Sequence, residues 1–250
     1  MINLSEKIIV VTGAAQGNGA TIAKGLSSLG ANLILVDLNT TKLLEVRDEI
    51  IQSGRNAHAY TLNIANHESC FHLAEKLTSE FGKVDVLVNN AGILRRSTFE
   101  SSSTFQDLED TLNVNVKGAY YLTHSLLPLL KEAKGNVVNV ASIQSFVASP
   151  TATAYSISKG GIAQMTKTLA VELAQYKIRV NAIAPGIINT PMSEVTRSNN
   201  DALQNFLRHV PLSREGQPDE LIGPVAFLCS NAASYVTGCI LPVDGGYLTV

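Results

Sequence analysis

Short apolar runs alternate along the chain with longer segments of helical periodicity. The apolar runs are rich in β-branched residues and lack polar alternation, which is typical of strands covered on both faces in a parallel sheet. Seven such runs are predicted to be strands: Lys7–Thr12, Asn32–Asp37, Ala57–Leu62, Val84–Asn89, Asn136–Ala141, Arg179–Ile183 and Cys239–Val243. The longer segments, such as Ala65–Phe81 and Ala152–Gln175, have the spacing of amphipathic helices. This alternation predicts a doubly wound α/β sandwich, with a mostly parallel seven-stranded sheet and helices on both faces.

Composition limits the classes of protein to which the chain can belong. The 250 residues contain no repeat or linker, so we expect a single domain, 1–250, with 45% apolar residues to form its core. The net charge of −2 provides no basic surface, and we expect neither nucleic acid nor a membrane as a partner. The N-terminal "MINLSEK" lacks the apolar core of a secretory signal, which favours the cytoplasm. Cys70, Cys229 and Cys239 have no metal-like spacing, and no metal site is expected.

A glycine-containing turn follows the first predicted strand. In "TGAAQGNGA", Gly13, Gly17 and Gly19 lie between that strand and a predicted helix. Backbone N–H groups and the positive end of a helix in this setting can hold a pyrophosphate. Asp37 ends the second strand, where a carboxylate can accept hydrogen bonds from the ribose of an adenosine. Together the turn and Asp37 favour a dinucleotide site in a Rossmann-type fold.

The residues around Asp37 bear on the choice of cofactor. A fixed carboxylate repels the 2′-phosphate of NADP, and an arginine nearby would be expected if that phosphate were bound. Gln16 lies in the glycine turn in place of a basic residue, and Leu38 follows the acid. Lys42 is the one nearby cation, and we expect it on a solvated helix face. NAD(H) is therefore the favoured cofactor.

Three polar residues near the middle of the chain form a possible proton-transfer set. Ser142 ends a predicted strand, and Tyr155 and Lys159 follow at a spacing that puts both on one helix face. A lysine ammonium ~5 Å from a phenolate, at an effective dielectric of ~20, would stabilise it by ~3 kcal/mol, or ~2 pKa units. That shift would bring a tyrosine close to the pH at which it can act as an acid or base. Ser142 could hydrogen-bond the substrate oxygen.

The whole chain resembles the short-chain dehydrogenases/reductases of the Ser-Tyr-Lys type. The resemblance rests on six motifs in order: the glycine turn, "NNAG" at Asn89–Gly92, Asn115 in "NVNVKG", the Ser-Tyr-Lys set, "PGIINTPM" from Pro185, and "DGG" at Asp244–Gly246. The resemblance implies that Tyr155 exchanges a proton with the substrate oxygen and that Ser142 polarises it. It also implies that Lys159 lowers the pKa of the tyrosine and holds the nicotinamide ribose, while Asn115 fixes a water linked to Lys159.

The same resemblance implies a set of cofactor contacts along the sheet. These are Gly13, Gln16, Asn18, Gly19, Asp37, Leu38, Asn63, Ile64, Asn90, Ala91, Gly92, Tyr155, Lys159, Pro185, Gly186, Ile188 and Thr190. Three of them depart from the family pattern, among them Gln16, which replaces an arginine common among relatives that use NADP. Asn18 replaces an apolar residue, and Asn63 replaces an aspartate that bonds the adenine amino group, although an amide oxygen can still accept that bond.

Residues implied to face the substrate are mostly apolar: Leu94, Gln144, Phe146, Val147, Ile187 and Met192. They suit an alicyclic or acyl-chain ketone better than a fully hydroxylated sugar. Arg95 and Arg96 raise the alternative of an anionic substrate, but we expect both to be solvated loop residues. The polar segment at about 186–211 is interpreted as a helical lid over the substrate.

These observations favour an NAD(H)-dependent oxidoreductase of a small-molecule secondary alcohol or ketone. The alternatives are a 3-oxoacyl-thioester (acyl-carrier-protein) reductase, a polyol or sugar dehydrogenase, and a non-catalytic protein that kept the fold. The resemblance also implies a homotetramer, packed through the helices that carry Asn115 and Tyr155 and through the C-terminal strand.

Overall fold

The computed structural model describes residues 2–250 and contains one sheet of seven parallel strands. The strands are β1 (Ile8–Thr12), β2 (Asn32–Asp37), β3 (Ala57–Thr61), β4 (Val86–Asn89), β5 (Asn136–Val140), β6 (Arg179–Pro185) and β7 (Ile240–Val243). Their order across the sheet is β3-β2-β1-β4-β5-β6-β7. The predicted doubly wound α/β fold is confirmed, and all strand pairs are parallel.

Helices cover both faces of this sheet. They are α1 (Gly17–Ser28), α2 (Thr40–Gln52), α3 (His67–Phe81), α4 (Thr104–Leu112), α5 (Ala119–Ser125), α6 (Leu127–Ala133), α7 (Thr153–Leu173), α8 (Glu194–Arg197), α9 (Asn200–Leu207) and α10 (Ile222–Cys229). A π-helical segment, Asn113–Gly118, joins α4 to α5.

Two hydrophobic cores lie on opposite faces of the sheet because successive strand residues point to opposite sides. In β1, Ile9 and Val11 pack into the core that α1, α2 and α10 cover. Val10 between them packs into the other core, against α3, α5, α6 and α7. The five central strands, β2, β1, β4, β5 and β6, are buried along most of their length without alternation, as expected of a parallel sheet with two covered faces. The edge strands β3 and β7 are mostly half-buried or exposed.

The predicted element bounds differ from the observed ones by one or two residues, for local reasons. The helix predicted from Ala65 begins at His67, because the Asn66 side chain accepts a hydrogen bond from the Ser69 N–H at 2.9 Å and caps it. The helix predicted to Gln175 ends at Leu173 and continues as a 3₁₀ turn, Ala174–Tyr176.

The predicted lid consists of a 3₁₀ turn, Pro191–Ser193, followed by the short helices α8 and α9. Within residues 2–250, no helix combines the length and the apolar character needed to cross a bilayer.

Candidate active site

A cavity of about 860 Å³ runs along the carboxyl ends of the strands. Its walls come from the residues that directly follow β1, β4 and β5 and from the ends of β2 and β6. In a doubly wound sheet this edge is where ligands bind, because strand order reverses there and leaves a crevice. Here β1 leads to β2 on one side and β4 lies on the other.

The glycine turn and the "NNAG" segment are bonded to each other at the centre of this edge. The Thr12 hydroxyl accepts hydrogen bonds from the N–H groups of Asn90 and Ala91, each at 3.0 Å, and Asn90 Nδ2 donates to the Thr12 carbonyl at 2.8 Å. Gly13 has a φ of +65°, and a Cβ there would lie 2.8 Å from the Ala91 Cα. The turn therefore requires glycine at this position for both conformation and space.

Asp37 is fixed at the end of β2. One carboxylate oxygen accepts from the Ala15 N–H at 3.0 Å and the other from the Asn39 N–H at 2.9 Å. Lys42 is exposed on α2, and its Nζ donates to Gln16 Oε1 in the glycine turn at 2.9 Å. The expected solvated helix position of Lys42 agrees with the structure, which adds this contact with the glycine turn.

The glycine turn has unused hydrogen-bonding capacity that fits a dinucleotide. Gln16 precedes α1 in an extended conformation, and its side chain does not cap the helix. The Asn18 Oδ1 atom is buried without a hydrogen-bond partner in the described chain, and Asn18 lines the cavity. A ligand with phosphate acceptors and hydroxyl or amide donors would use the free helix N–H groups and this oxygen.

Ser142, Tyr155 and Lys159 lie together on the cavity wall. Ser142 follows β5 and begins a 3₁₀ turn, with its hydroxyl accepting from the Gln144 N–H at 3.2 Å. Tyr155 and Lys159 lie one turn apart on α7. The Lys159 ammonium is 5.6 Å from the centre of the Tyr155 ring and donates to the Val140 carbonyl at 2.6 Å.

Burial dominates the protonation of this pair. It raises the pKa of Tyr155, while the neighbouring Ser142 hydroxyl and the positive charge of Arg96 act to lower it. Burial also lowers the pKa of Lys159 from 10.5 to about 8. The expected net lowering of the pKa of Tyr155 is therefore wrong. The predicted shift included the attraction between the lysine ammonium and the phenolate but omitted the free-energy cost of removing each charged group from water.

Asn115 lies behind the cavity wall, in the π-helical segment. Its Oδ1 accepts from the Ile93 N–H at 2.8 Å, and its Nδ2 donates to the Ile93 carbonyl and to the Ser158 hydroxyl, both at 3.0 Å. Ser158 in turn donates to the Tyr155 carbonyl at 2.7 Å. The Asn115 side chain thus ties the loop after "NNAG" to the turn of α7 that carries Tyr155.

Every predicted cofactor residue lines the cavity, as do five of the six predicted substrate residues. Phe146 is the exception: it is half exposed and lies outside the cavity. The predicted lid segment contributes further polar side chains to the cavity wall, which the sequence did not predict: Ser193, Thr196, Asn199, Asn205 and His209. The cavity is therefore more polar than expected. The polar composition of the segment at about 186–211 is the sequence feature that could have predicted these polar lining residues.

The two adjacent arginines have different environments. Arg95 faces away, toward Asp110 at 3.8 Å, as expected for a solvated residue. Arg96 lines the cavity, donates to the Thr196 hydroxyl of the lid at 2.8 Å and is close enough to Tyr155 for its charge to act on the phenol. Both arginines are exposed loop residues, as expected, but only Arg96 also lines the cavity and contacts the predicted lid.

A family model described as enoyl-(acyl carrier protein) reductase matches residues 13–248. The chain belongs to the short-chain dehydrogenase/reductase family. As a short-chain dehydrogenase/reductase it is an oxidoreductase that acts on CH–OH groups with a nicotinamide cofactor. The glycine turn, the "NNAG" segment and the Ser-Tyr-Lys set are the features by which the sequence resembles that family.

Individual relatives of this short-chain dehydrogenase/reductase differ in their substrates. A 3-oxoacyl-(acyl-carrier-protein) reductase of Thermotoga maritima is 37% identical over 98% of the chain and 99% of its own length. A 5-keto-D-gluconate 5-reductase of Escherichia coli is 35% identical over 99% of the chain and 98% of its own length. The crystal structure of a gluconate 5-dehydrogenase from Burkholderia cenocepacia, in complex with NADP and tartrate, superposes with a TM-score of 0.96 at 29% identity, covering 100% of this chain and 98% of that one.

Proposed function

We propose that the protein is an NAD(H)-dependent oxidoreductase whose substrate is a small secondary alcohol or ketone that carries a carboxylate, such as a keto-sugar acid. The observation that carries this proposal is the position of Arg96. Its guanidinium donates a hydrogen bond to Thr196 in the lid, and its positive charge lowers the pKa of Tyr155. A single positive charge therefore contacts the lid and influences the tyrosine in the half of the cavity that we propose for the substrate. A carboxylate is the group that an arginine binds best.

The proton chemistry belongs to Tyr155 and its neighbours. The nicotinamide, when bound, supplies or accepts the hydride. Because burial raises the pKa of Tyr155, the phenol is protonated at neutral pH and can donate to a substrate oxygen as negative charge develops there. Ser142 faces the same oxygen and stabilises that charge. Lys159 and Asn115 hold the turn of α7 in register with the cavity wall.

NAD(H) is proposed as the cofactor because Asp37 is held by two backbone N–H groups and cannot turn away from a ribose 2′ substituent. A phosphate there would meet a fixed negative charge. Lys42 is the competing feature, since its ammonium lies at the glycine turn and would attract such a phosphate. The B. cenocepacia relative was crystallised with NADP, so NADP is the competing cofactor.

A second candidate is a 3-oxoacyl-thioester reductase, favoured by the 37% identity with the Thermotoga maritima enzyme. The polar lid lining and Arg96 count against an acyl chain as the group that fills the cavity. A keto-sugar acid presents hydroxyl groups to that lining and a carboxylate to Arg96. The E. coli and B. cenocepacia relatives support this class, because each is named for a gluconate derivative.

A homotetramer in the cytoplasm is also part of the proposal. The helices expected at its interfaces expose large apolar side chains to solvent: Phe105 on α4 and Ile157 and Val171 on α7. Near β7, Tyr235 is fully exposed. Burying such residues against a second copy would remove them from water. Light scattering after size exclusion measures the mass that decides this point.

The test of substrate class compares Arg96→Gln with Arg95→Gln, its matched neighbour. Initial rates are measured with NADH and 5-keto-D-gluconate, and with NADH and the neutral keto-sugar L-sorbose. Loss of a charge-assisted bond predicts a roughly 10- to 100-fold fall in kcat/KM for the acid in Arg96→Gln. The fall for the neutral sugar should be at least about tenfold smaller, because it reports only the lost contacts of Arg96 with Thr196 and Tyr155. The Arg95→Gln variant should change by less than about threefold with either substrate. Equal losses for both substrates would rule out carboxylate recognition by Arg96.

The cofactor is tested separately by titrating NADH and NADPH against the wild-type protein. The proposal requires NADH to bind at least about tenfold more tightly, which is ~1.4 kcal/mol. If NADPH binds more tightly, Lys42 receives the phosphate, and acetoacetyl thioesters become the first substrates to assay.

A further inference from the structure

The C-terminal turn connects the nicotinamide side of the cavity to its lid. After β7, Asp244 accepts hydrogen bonds from the N–H groups of Gly246 at 2.9 Å and Leu248 at 3.0 Å, which fix the chain into a 3₁₀ turn, Tyr247–Thr249. The turn thus presents Tyr247 at a defined position. Tyr247 lines the same cavity as Ser142 and Tyr155.

One side of this turn packs against the loop predicted to meet the nicotinamide. The Gly186 N–H donates to the Val243 carbonyl at 3.0 Å. A Cβ on Gly186 would lie 3.0 Å from the Asp244 Cα, so the two backbones are in direct contact. Movement of the turn would therefore displace the loop at Gly186.

The other side of the turn packs against the chain that leaves the lid. The Leu212 N–H donates to the Gly245 carbonyl at 3.1 Å. Gly246 has a φ of +91°, and a Cβ there would approach Pro211 Cγ to 2.9 Å. The turn therefore holds the exit of the lid by backbone contact.

The lid helix α9 is held by half-buried side chains only. None of its residues, all of which the structure describes, is buried. Its Phe206 ring stacks on the Tyr247 ring, with centroids 4.6 Å apart and planes 18° apart. The His209 ring, just beyond α9, lies 6.0 Å from Tyr247. Phe206, His209 and Tyr247 all line the cavity.

We infer that Tyr247 is a positioning residue: its ring holds α9 over the substrate half of the cavity and couples the lid to the nicotinamide loop through the C-terminal turn. The inference uses the proposed function only for the substrate that fills this half of the cavity. It assigns Tyr247 no part in proton or hydride transfer. Its role is to keep the lid closed often enough for substrate to be bound productively.

The ring, rather than the hydroxyl, makes the contact with Phe206. Tyr247→Phe should therefore behave as wild type, whereas Tyr247→Ala and Phe206→Ala should each loosen α9. An aromatic pair of this kind changes an equilibrium roughly two- to tenfold. The double variant should lose no more than either single one, because both substitutions remove the same contact.

The first readout needs no substrate. Arg208 follows α9 and is exposed, so limited trypsin digestion of the full chain reports how often the helix opens at that bond. Cleavage after Arg208, followed by mass spectrometry, should be roughly two- to tenfold faster in Tyr247→Ala than in wild type. Phe71→Ala, which removes an exposed ring on α3, is the control and should cleave as wild type does.

The second readout separates positioning from chemistry. With NADH and 5-keto-D-gluconate, Tyr247→Ala should raise KM by a similar factor, leave kcat within about threefold and leave the NADH Kd within about twofold. Unchanged cleavage after Arg208 in both Tyr247→Ala and Phe206→Ala would overturn the inference. So would a Tyr247→Phe variant as impaired as Tyr247→Ala, since the hydroxyl would then be responsible. If wild type reduces no keto-sugar acid, the proposed substrate class fails, and the cleavage rates alone decide the role of Tyr247.

Discussion

Replacing Lys159 by Met should change the pH dependence of stability in a direction set by burial. Lys159 is only 4% exposed, and burial lowers its pKa from 10.5 to about 8. The folded chain therefore binds a proton at this site less tightly than the unfolded chain does. At pH values below about 8 the lysine is charged in both states, and the full cost of burying the charge opposes folding.

The sign and size follow from the two pKa values. Between about pH 8 and 10.5 the unfolded chain keeps a proton that the folded chain has released, so the free energy of unfolding rises with pH. The full difference is about 3 kcal/mol, of which about 2.5 kcal/mol is recovered between about pH 7 and pH 10. Lys159→Met removes this contribution. The lost hydrogen bond to the Val140 carbonyl costs about 1–3 kcal/mol at every pH and leaves the slope unchanged.

Urea unfolding of the protein without cofactor measures the effect, at one protein concentration and at four pH values from about 7 to 10. Buried thiols act in the opposite direction, because burial raises the pKa of Cys70 to about 11 and that of Cys229 to about 12. Both proteins carry these thiols, so the difference between wild type and Lys159→Met isolates the lysine. That difference should change by about 2.5 kcal/mol in favour of wild type as the pH rises.

Lys167→Met is the matched control, since Lys167 is exposed on the same helix. The difference in free energy of unfolding between Lys167→Met and wild type should be the same at all four pH values. A Lys159→Met difference that varies by less than about 0.5 kcal/mol would refute the argument, because the lysine would then titrate alike in both states.

Two further predictions concern Ser142 and Gly13. Ser142→Ala should lower kcat by roughly 10²–10³-fold and leave NADH binding unchanged, because the hydroxyl acts on charge that develops during reaction; initial rates and NADH titration check this, and a loss under tenfold would contradict it. Gly13→Ala should destabilise the fold by about 2 kcal/mol more than Gly54→Ala in urea unfolding. Both glycines have positive φ, but an added Cβ meets Ala91 at 2.8 Å only at Gly13 and finds nothing within 4 Å at Gly54, so equal losses would show that conformation alone matters.

The fold could be predicted from the sequence because strand and helix patterns repeat without ambiguity. All seven strands lie where their apolar runs predict them, within two residues at each end. The bounds that differ depend on side-chain caps and on turns that continue a helix, such as Asn66 and the segment after Leu173. Such details depend on single hydrogen bonds rather than on periodicity.

The site could be predicted as a set of residues, but not in its electrostatics. Position along the chain placed Ser142, Tyr155 and Lys159 on one wall, because α7 and the end of β5 are packed in a fixed register. Spacing says nothing of how much water each group retains, and burial turned out to control both pKa shifts. Arg96 is exposed, as predicted, but spacing could not predict its hydrogen bond to Thr196, which lies 100 residues further along the chain.

The opposite pKa shifts of Tyr155 and Lys159 bear on which direction of reaction the site is prepared for. A raised tyrosine pKa keeps the phenol protonated, as ketone reduction requires, since the proton must pass to the developing alkoxide. Alcohol oxidation requires the phenolate instead, and the groups that favour it are Ser142 and the cation of Arg96. Lys159 carries a positive charge only below about pH 8. Raising the pH therefore removes the charge of Lys159 while it also promotes loss of the Tyr155 proton. The arginine that we propose to bind the substrate carboxylate is therefore also a cation that lowers the pKa of Tyr155, against the effect of burial.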